Sequence, residues 1–297
     1  MAKVTMELIK ELREKSQVGM MDCKRALIES DGDIEKAIEV LRKKGAAVAT
    51  KRAGRDTNNG HIQACISPDF KSGALLKISC ETDFSANTTT MKDFAKSTCE
   101  HILKANPSCV KDGDNCLMEQ ELSSKPGLKI KDHLNELIAK ITENIQVKEF
   151  VRFELKSNGI VNAYIHPGSN LGVLIELVTD KEVGANLEEL KKLSKDICMQ
   201  IVVTDPLSID PSGLEETTLE KERSIAKEIL LKSGKPENMI DKIMEGKIKK
   251  FYEDVCLLNQ KFIKNDKITI QEHINQIAKD TGLKIDVANF TRFVIGK

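Results

Sequence analysis

Eight cysteines, at positions 23, 65, 80, 99, 109, 116, 198 and 256, and five histidines are the residues best equipped for nucleophilic, redox or metal chemistry. Their spacing organises none of it. No pair forms CxxC, and no cysteine cluster has a histidine at zinc-ligand spacing. His166 with Cys198, or His61 with Cys65, would be the pairings for a thiol nucleophile and its base. A lone histidine beside a turn is more often a structural hydrogen-bonder, and scattered cysteines act as small apolar fillers in a reducing compartment. Neither a P-loop nor GxGxxG occurs, so neither of these nucleotide-binding loops is available, and the cysteine and histidine spacing gives no reason to expect a metal. Thr82-Asp83-Phe84-Ser85 is a better candidate: an aromatic beside a carboxylate, directly after an apolar run. Aromatics make up 4% of the chain and tryptophan is absent, so the setting of each phenylalanine is informative. Composition alone favours core packing for Phe84. The alternative is a stiff aromatic at a loop tip, whose burial in a partner would contribute roughly 1.5–3 kcal/mol at little conformational cost.

The elements that must position these residues come in two copies. Slid by 99 residues, Gly60 falls on Gly159, Pro68 on Pro167, Gly73 on Gly172, Asn87 on Asn186, Cys99 on Cys198 and Pro107 on Pro206. Such self-similarity marks a duplicated structural unit. Each copy reads as a strand (His61–Ile66; Ile160–Ile165), a Pro/Gly turn, and a second, apolar strand (Ala74–Ile78; Val173–Leu177). A helix follows, with Met91, Phe94, Ala95 and Thr98 on one face in the first copy and Leu190, Leu193, Ile197 and Ile201 in the second. The expected class is α+β, with helices covering one face of antiparallel strands. Val147–Phe153 and Val287–Phe293 share Val, Phe, Arg and Phe at matching places. The first is expected to feed a strand into the second repeat, and the other to close the chain as a strand of the same core. The duplication also supplies a control. Glu81 and Asp180, and Ala-Asn at 86–87 and 185–186, are shared and should build the turn, whereas Phe84 is replaced by Val183.

Ahead of the repeats, residues 5–44 read as three short helices. Thr5 caps a stripe of Met6, Ile9 and Leu12; Gly19 breaks the chain before Met20, Cys23 and Leu27; Asp31-Gly32-Asp33 turns into Ile34, Ala37, Ile38 and Leu41. Gly45 is expected to end the third helix, with residues 46–59 as a linker or surface arm. Its Lys51, Arg52 and Arg55 could touch RNA, but read better as a solvated run. After the second repeat, Leu219, Ala226, Ile229 and Leu230 mark one helix, and Ile240, Ile243, Met244, Ile248, Phe251 and Val255 another. Gly234 should end the first and Pro236 open the second, giving an antiparallel pair. That pair either packs on the core or projects to meet a partner or a second copy of the chain. The 46 basic and 46 acidic residues balance, with no basic stripe, so direct nucleic-acid contact is not expected. No apolar run is long enough to cross a membrane, and Met1-Ala2-Lys3-Val4 leads straight into a charged helical pattern without a signal peptide.

Five ordered blocks resemble the elongation factor Ts family: Met21-Asp22-Cys23-Lys24 with Gly32–Ala37; Thr82-Asp83-Phe84; Tyr164-Ile165-His166 with Leu171–Leu174; Gly234–Asn238; and Glu245–Lys247 with Lys250–Tyr252 and Val255–Leu258. The resemblance implies a ubiquitin-associated-like helical domain at 1–55, core repeats at 56–145 and 146–212, a coiled-coil hairpin at 213–265, and a return to the core with a final strand at 266–297. It implies a cytoplasmic guanine-nucleotide exchange factor that binds elongation factor Tu in its GDP-bound and nucleotide-free states, without covalent chemistry or a cofactor. By resemblance, Thr82, Asp83, Phe84 and Ser85 meet the partner, with Asp83 and Phe84 disturbing its Mg²⁺ site. His166 makes a second contact, and the N-terminal helices touch the guanine-facing side. The rival reading is a non-enzymatic RNA- or peptide-binding scaffold. Three departures stand out. Ser85 replaces a larger apolar residue, Ser169-Asn170 replace a glycine-arginine pair, and the chain closes at Lys297 where some members continue into a C-terminal helix, a contact expected to be missing here.

Overall fold

The computed structural model describes residues 4–16, 18–232 and 237–296. Helices α1 (Met6–Ser16), α2 (Met20–Glu29) and α3 (Ile34–Arg52) come first and share a core of Ile9, Leu12, Val18, Cys23, Ala26, Leu27, Ala37 and Leu41. The Thr5 hydroxyl accepts the Leu8 N–H, and Asp33 caps α3 by accepting the Lys36 N–H, after Asp31 and Gly32 turn the chain in the left-handed region. Met6 and Met20 leave the expected stripes and are exposed. Gly45 does not end its helix. A Cβ there would sit 2.3 Å from the Asn135 carbonyl oxygen, so the glycine serves a close helix–helix crossing rather than a C-cap. Residues 46–52 are therefore helix, not linker, and Val48 and Ala49 pack against the first repeat.

The first repeat comprises β1 (Asn59–Ile66), β2 (Ser72–Cys80), the single turn α4 (Asp83–Ala86), α5 (Thr89–Ala105), α6 (Ile130–Ile141) and β3 (Gln146–Glu154). The second begins with β4 (Gly159–Ile165), β5 (Leu171–Thr179) and α7 (Leu187–Thr204). It continues through α8 (Glu216–Lys232), α9 (Glu237–Val255), the short strands β6 (Lys261–Phe262) and β7 (Asn265–Thr269), α10 (Ile270–Thr281) and β8 (Ile285–Val294). Two antiparallel sheets result, ordered β1-β2-β3 and β4-β5-β8. Strand β3 therefore completes the first sheet and does not feed the second repeat; β8 is its counterpart. The registers correspond, Ile78 opposite Val147 and Leu177 opposite Val287, each beside a bulge.

Each sheet is covered on both faces, which is why β2 and β5 read as continuous apolar runs. Alternate residues of β2 (Ala74, Leu76, Ile78) face a cluster with Met91, Phe94, Cys99 and Ile102 of α5. Leu75 turns the other way, into a shared layer with Ile62, Phe153, Val161, Leu174 and Phe293. That layer is reciprocal. The Ile62 N–H donates to the Ser169 carbonyl at 2.7 Å, and the Val161 N–H to the Phe70 carbonyl at 2.7 Å. Gly73 and Gly172 let the sheets approach, since a Cβ on either would lie 2.7 Å from a methyl of Val161 or Ile62 respectively. The duplicated halves thus meet about an approximate two-fold axis, through the same patch on each.

Helices α8 and α9 contact each other, with Ala226, Leu230 and Ile248 buried, whereas Ile229 faces out. The turn assigned to Gly234 and Pro236 lies outside the described residues, as does the Ile240 side chain. The origin of this pair is visible in its base. Leu117 N–H donates to the Cys109 carbonyl in the first repeat, and Leu257 N–H to the Ser208 carbonyl in the second. Cys109 and Ser208 are 99 apart, while Leu117 and Leu257 are 140 apart; the difference (140 − 99 = 41) is an insertion at one point of the repeat. The first copy closes the same gap with a loop.

Candidate functional site

After β2 the chain must turn sharply into α5, and nearly every polar group in that turn has an assigned partner. Glu81 opens it. Its carboxylate accepts the Asn144 N–H at 2.7 Å and meets Arg52 and Arg55 at 3.3 and 3.1 Å. The Asn144 N–H foremost, then the two guanidinium groups, hold the Glu81 carboxyl below its ordinary range. Thr82 caps α4, its hydroxyl accepting the Ser85 N–H at 3.2 Å, and Asp83 Oδ1 accepts the Phe84 N–H at 2.8 Å. At the far end Asn87 Nδ2 donates to the Asp83 carbonyl at 3.0 Å, and the Thr88 hydroxyl to the Ser85 carbonyl at 2.9 Å while capping α5.

Glu143, from the connection between α6 and β3, closes the turn from the side. It accepts the Thr82 N–H at 3.1 Å, the Thr82 hydroxyl at 2.7 Å and the Ser85 hydroxyl at 2.6 Å. Sequence reading missed this residue, because no periodicity or motif ties it to a turn some 60 positions away. It could have been found by carrying the 140-residue offset a few residues ahead of the strands, where Glu143 corresponds to Leu283.

Four candidate residues come together here, and they divide. Ser85 is buried, which explains a small polar residue at that position: its hydroxyl is spent on Glu143. Thr82, Asp83 and Phe84 are exposed, Phe84 to 80%. The compositional expectation that Phe84 packs into the core is overturned. A one-turn helix pinned at both ends has no slack with which to fold its second residue, Phe84, back, so the ring stands in solvent.

The equivalent turn of the second repeat is built otherwise. Asp180 copies Glu81, accepting the Lys284 N–H at 2.8 Å, and that hydrogen bond lowers its carboxyl too. Beyond it Val183 is 8% exposed and belongs to the second core with Leu283, which is buried at the place of Glu143. Gly184 takes a left-handed φ of 49°.

His166 is exposed on the turn between β4 and β5, its Nδ1 3.4 Å from the Tyr164 hydroxyl. Among the described residues no hydrogen bond joins it to the Thr82–Ser85 turn. Ser169, with φ 55°, and Asn170 serve this turn through their backbones, their carbonyls accepting the Ile62 and Ile295 N–H groups. Cys198 is enclosed, its thiol pushed up by burial, and His61 is buried and held low by desolvation. Among the described residues neither His166–Cys198 nor His61–Cys65 forms a hydrogen-bonded pair, no group of three or more potential ligands could hold a metal ion, and no helix is long and apolar enough to cross a membrane.

Comparison with known proteins places the chain among relatives that share its whole length. A family model described as Elongation factor TS matches residues 81–297, beginning at the carboxylate that opens the turn. Elongation factor Ts of Clostridium novyi is 39% identical over 294 residues, covering 99% of this chain and 93% of the relative. Elongation factor Ts of Nautilia profundicola is 40% identical over 301 residues, covering 100% and 94%.

Proposed function

The chain belongs to the elongation factor Ts family, and we propose that it is a guanine-nucleotide exchange factor that binds elongation factor Tu–GDP and promotes GDP release during translation elongation. The observation that carries this reading is Phe84, a phenylalanine 80% exposed on a braced turn whose sister position is buried valine. In the proposed complex Phe84 inserts beside the partner's nucleotide, and Asp83 brings a carboxylate to the Mg²⁺ and phosphate region, where it loosens the metal's coordination. His166 makes a second contact from the other repeat, and the α1–α3 unit, read as ubiquitin-associated-like, reaches the guanine-facing side. The α8–α9 pair is read as a coiled-coil arm, and the setting as the cytoplasm.

Such a factor makes and breaks no covalent bond. It works by linkage: the factor prefers the empty GTPase to the GDP–Mg²⁺ form, and whatever it costs GDP in affinity GDP costs it in return. Burying one phenylalanine supplies roughly 1.5–3 kcal/mol, enough for a ten- to hundredfold coupling at about 1.4 kcal/mol per decade. Binding of GTP then displaces the factor. Stopped-flow release of a fluorescent GDP from elongation factor Tu tests the reading. The purified chain should accelerate release at catalytic concentrations; the same rate with and without it would refute exchange activity.

A further inference from the structure

We propose that Glu143 is a positioning residue for the exchange wedge: it never meets the partner, and it holds Thr82-Asp83-Phe84 in the shape that does. The inference rests on the wedge reading above. Its basis is the way the carboxylate is held. An ionised carboxylate only accepts, with room for several donors, and Glu143 accepts three from the turn: the N–H and hydroxyl of Thr82 and the hydroxyl of Ser85. Charge-assisted bonds of this kind are the stronger class. They tie both ends of α4, the cap residue and the buried third residue, to a single point.

That point is itself fixed from both sides. Thr142, just before it, donates its N–H to the Ile138 carbonyl at 2.7 Å and sits at φ 59°, a left-handed conformation unfavourable for a β-branched residue. Asn144, just after it, gives its N–H to Glu81 and its side-chain amide to the Arg55 carbonyl at 2.7 Å. Glu81 in turn holds Arg52 and Arg55. The anchor for the tip is thus bolted to the end of α3 as well as to α6. The second repeat supplies the internal control. At the equivalent positions Gly282 adopts φ 69° without a side chain to strain, and Leu283 packs inward with Val183. A carboxylate occurs at this place only beneath the exposed tip.

A double-mutant cycle on the full chain, read by stopped-flow GDP release from elongation factor Tu, tests the role. Glu143→Ala should slow exchange roughly tenfold, about 1.4 kcal/mol. Glu143→Gln should fall between, since an amide can still accept from the hydroxyls but turns a donor toward the Thr82 N–H. Amide hydrogen exchange at residues 82–86 should quicken in both variants, reporting a loosened tip in molecules that remain folded. Added to Phe84→Ala, Glu143→Ala should cost less than about twofold more, because a positioning residue has nothing left to position. A full second tenfold loss in the double variant, or an unchanged rate in Glu143→Ala alone, overturns this role and leaves the wedge standing. An unchanged rate in Phe84→Ala overturns the wedge and this inference with it.

Discussion

The turns at Glu81–Asn87 and Asp180–Asn186 start from the same design and end as opposites. Both begin with a carboxylate that accepts the N–H entering the third strand of its sheet, from Asn144 in one case and Lys284 in the other. Both follow a buried central strand and lead into a helix across that strand's face. Beyond that point one turn is anchored by polar bonds and shows its apolar residue to solvent, while the other is anchored by apolar contacts and hides it. Shared residues such as Glu81/Asp180, Gly73/Gly172 and Ile62/Val161 serve the fold. The divergent set, Phe84/Val183 with Glu143/Leu283, separates a surface that can work on another molecule from one that only closes a core.

Moving the polar anchor to the wrong copy should do the most damage. Leu283→Glu should destabilise the protein by about 3–5 kcal/mol, because a charge enters an apolar cluster that offers it no donors equivalent to Thr82 and Ser85. Urea denaturation would show it, and a loss under 1 kcal/mol would mean that the two anchors are interchangeable. A milder change carries a feature of the second repeat into the first. Thr142→Gly copies Gly282 and relieves a left-handed β-branched residue, so stability should rise by about 1 kcal/mol; a fall would show that Thr142 is not strained.

The smallest expected effect concerns the shared carboxylates. The folded-state pKa of Glu81 is depressed from its ordinary 4.5, so its contribution is complete above that value and is lost as pH falls through the depressed one. The stability difference between the wild type and Glu81→Gln should therefore be largest near neutrality and shrink toward zero under acid. Asp180→Asn should follow the same course from the lower ordinary value of 3.8. Thermal melts across that range would show it, and a difference that grew as pH fell would reverse the sign assigned here.

Much of this architecture was legible in the residues. Strand and helix faces followed from apolar spacing, because both copies had to bury the same stripes, and the Met91–Phe94–Ala95–Thr98 face lies wholly inside. Gly45 misled because a glycine that ends a helix and a glycine that admits a second helix look alike along the chain; only the Asn135 carbonyl distinguishes them. Val147–Phe153 was expected to feed the second repeat because it leads directly into that repeat's first strand, yet it completes the first sheet as β3, as its echo in β8 implies. The exposure of Phe84 could not be read from composition, since phenylalanine suits either side of a surface. It depends on Glu143, which reaches the turn only through the tertiary fold.

The most direct test of the central claim is the rate of GDP release from elongation factor Tu with Phe84→Ala at matched concentration. Release should be ten- to hundredfold slower, with an unchanged melting temperature because the ring is already in water, and with no rescue when Val183→Phe is added. A wild-type rate from Phe84→Ala, or restoration by Val183→Phe, would contradict that claim.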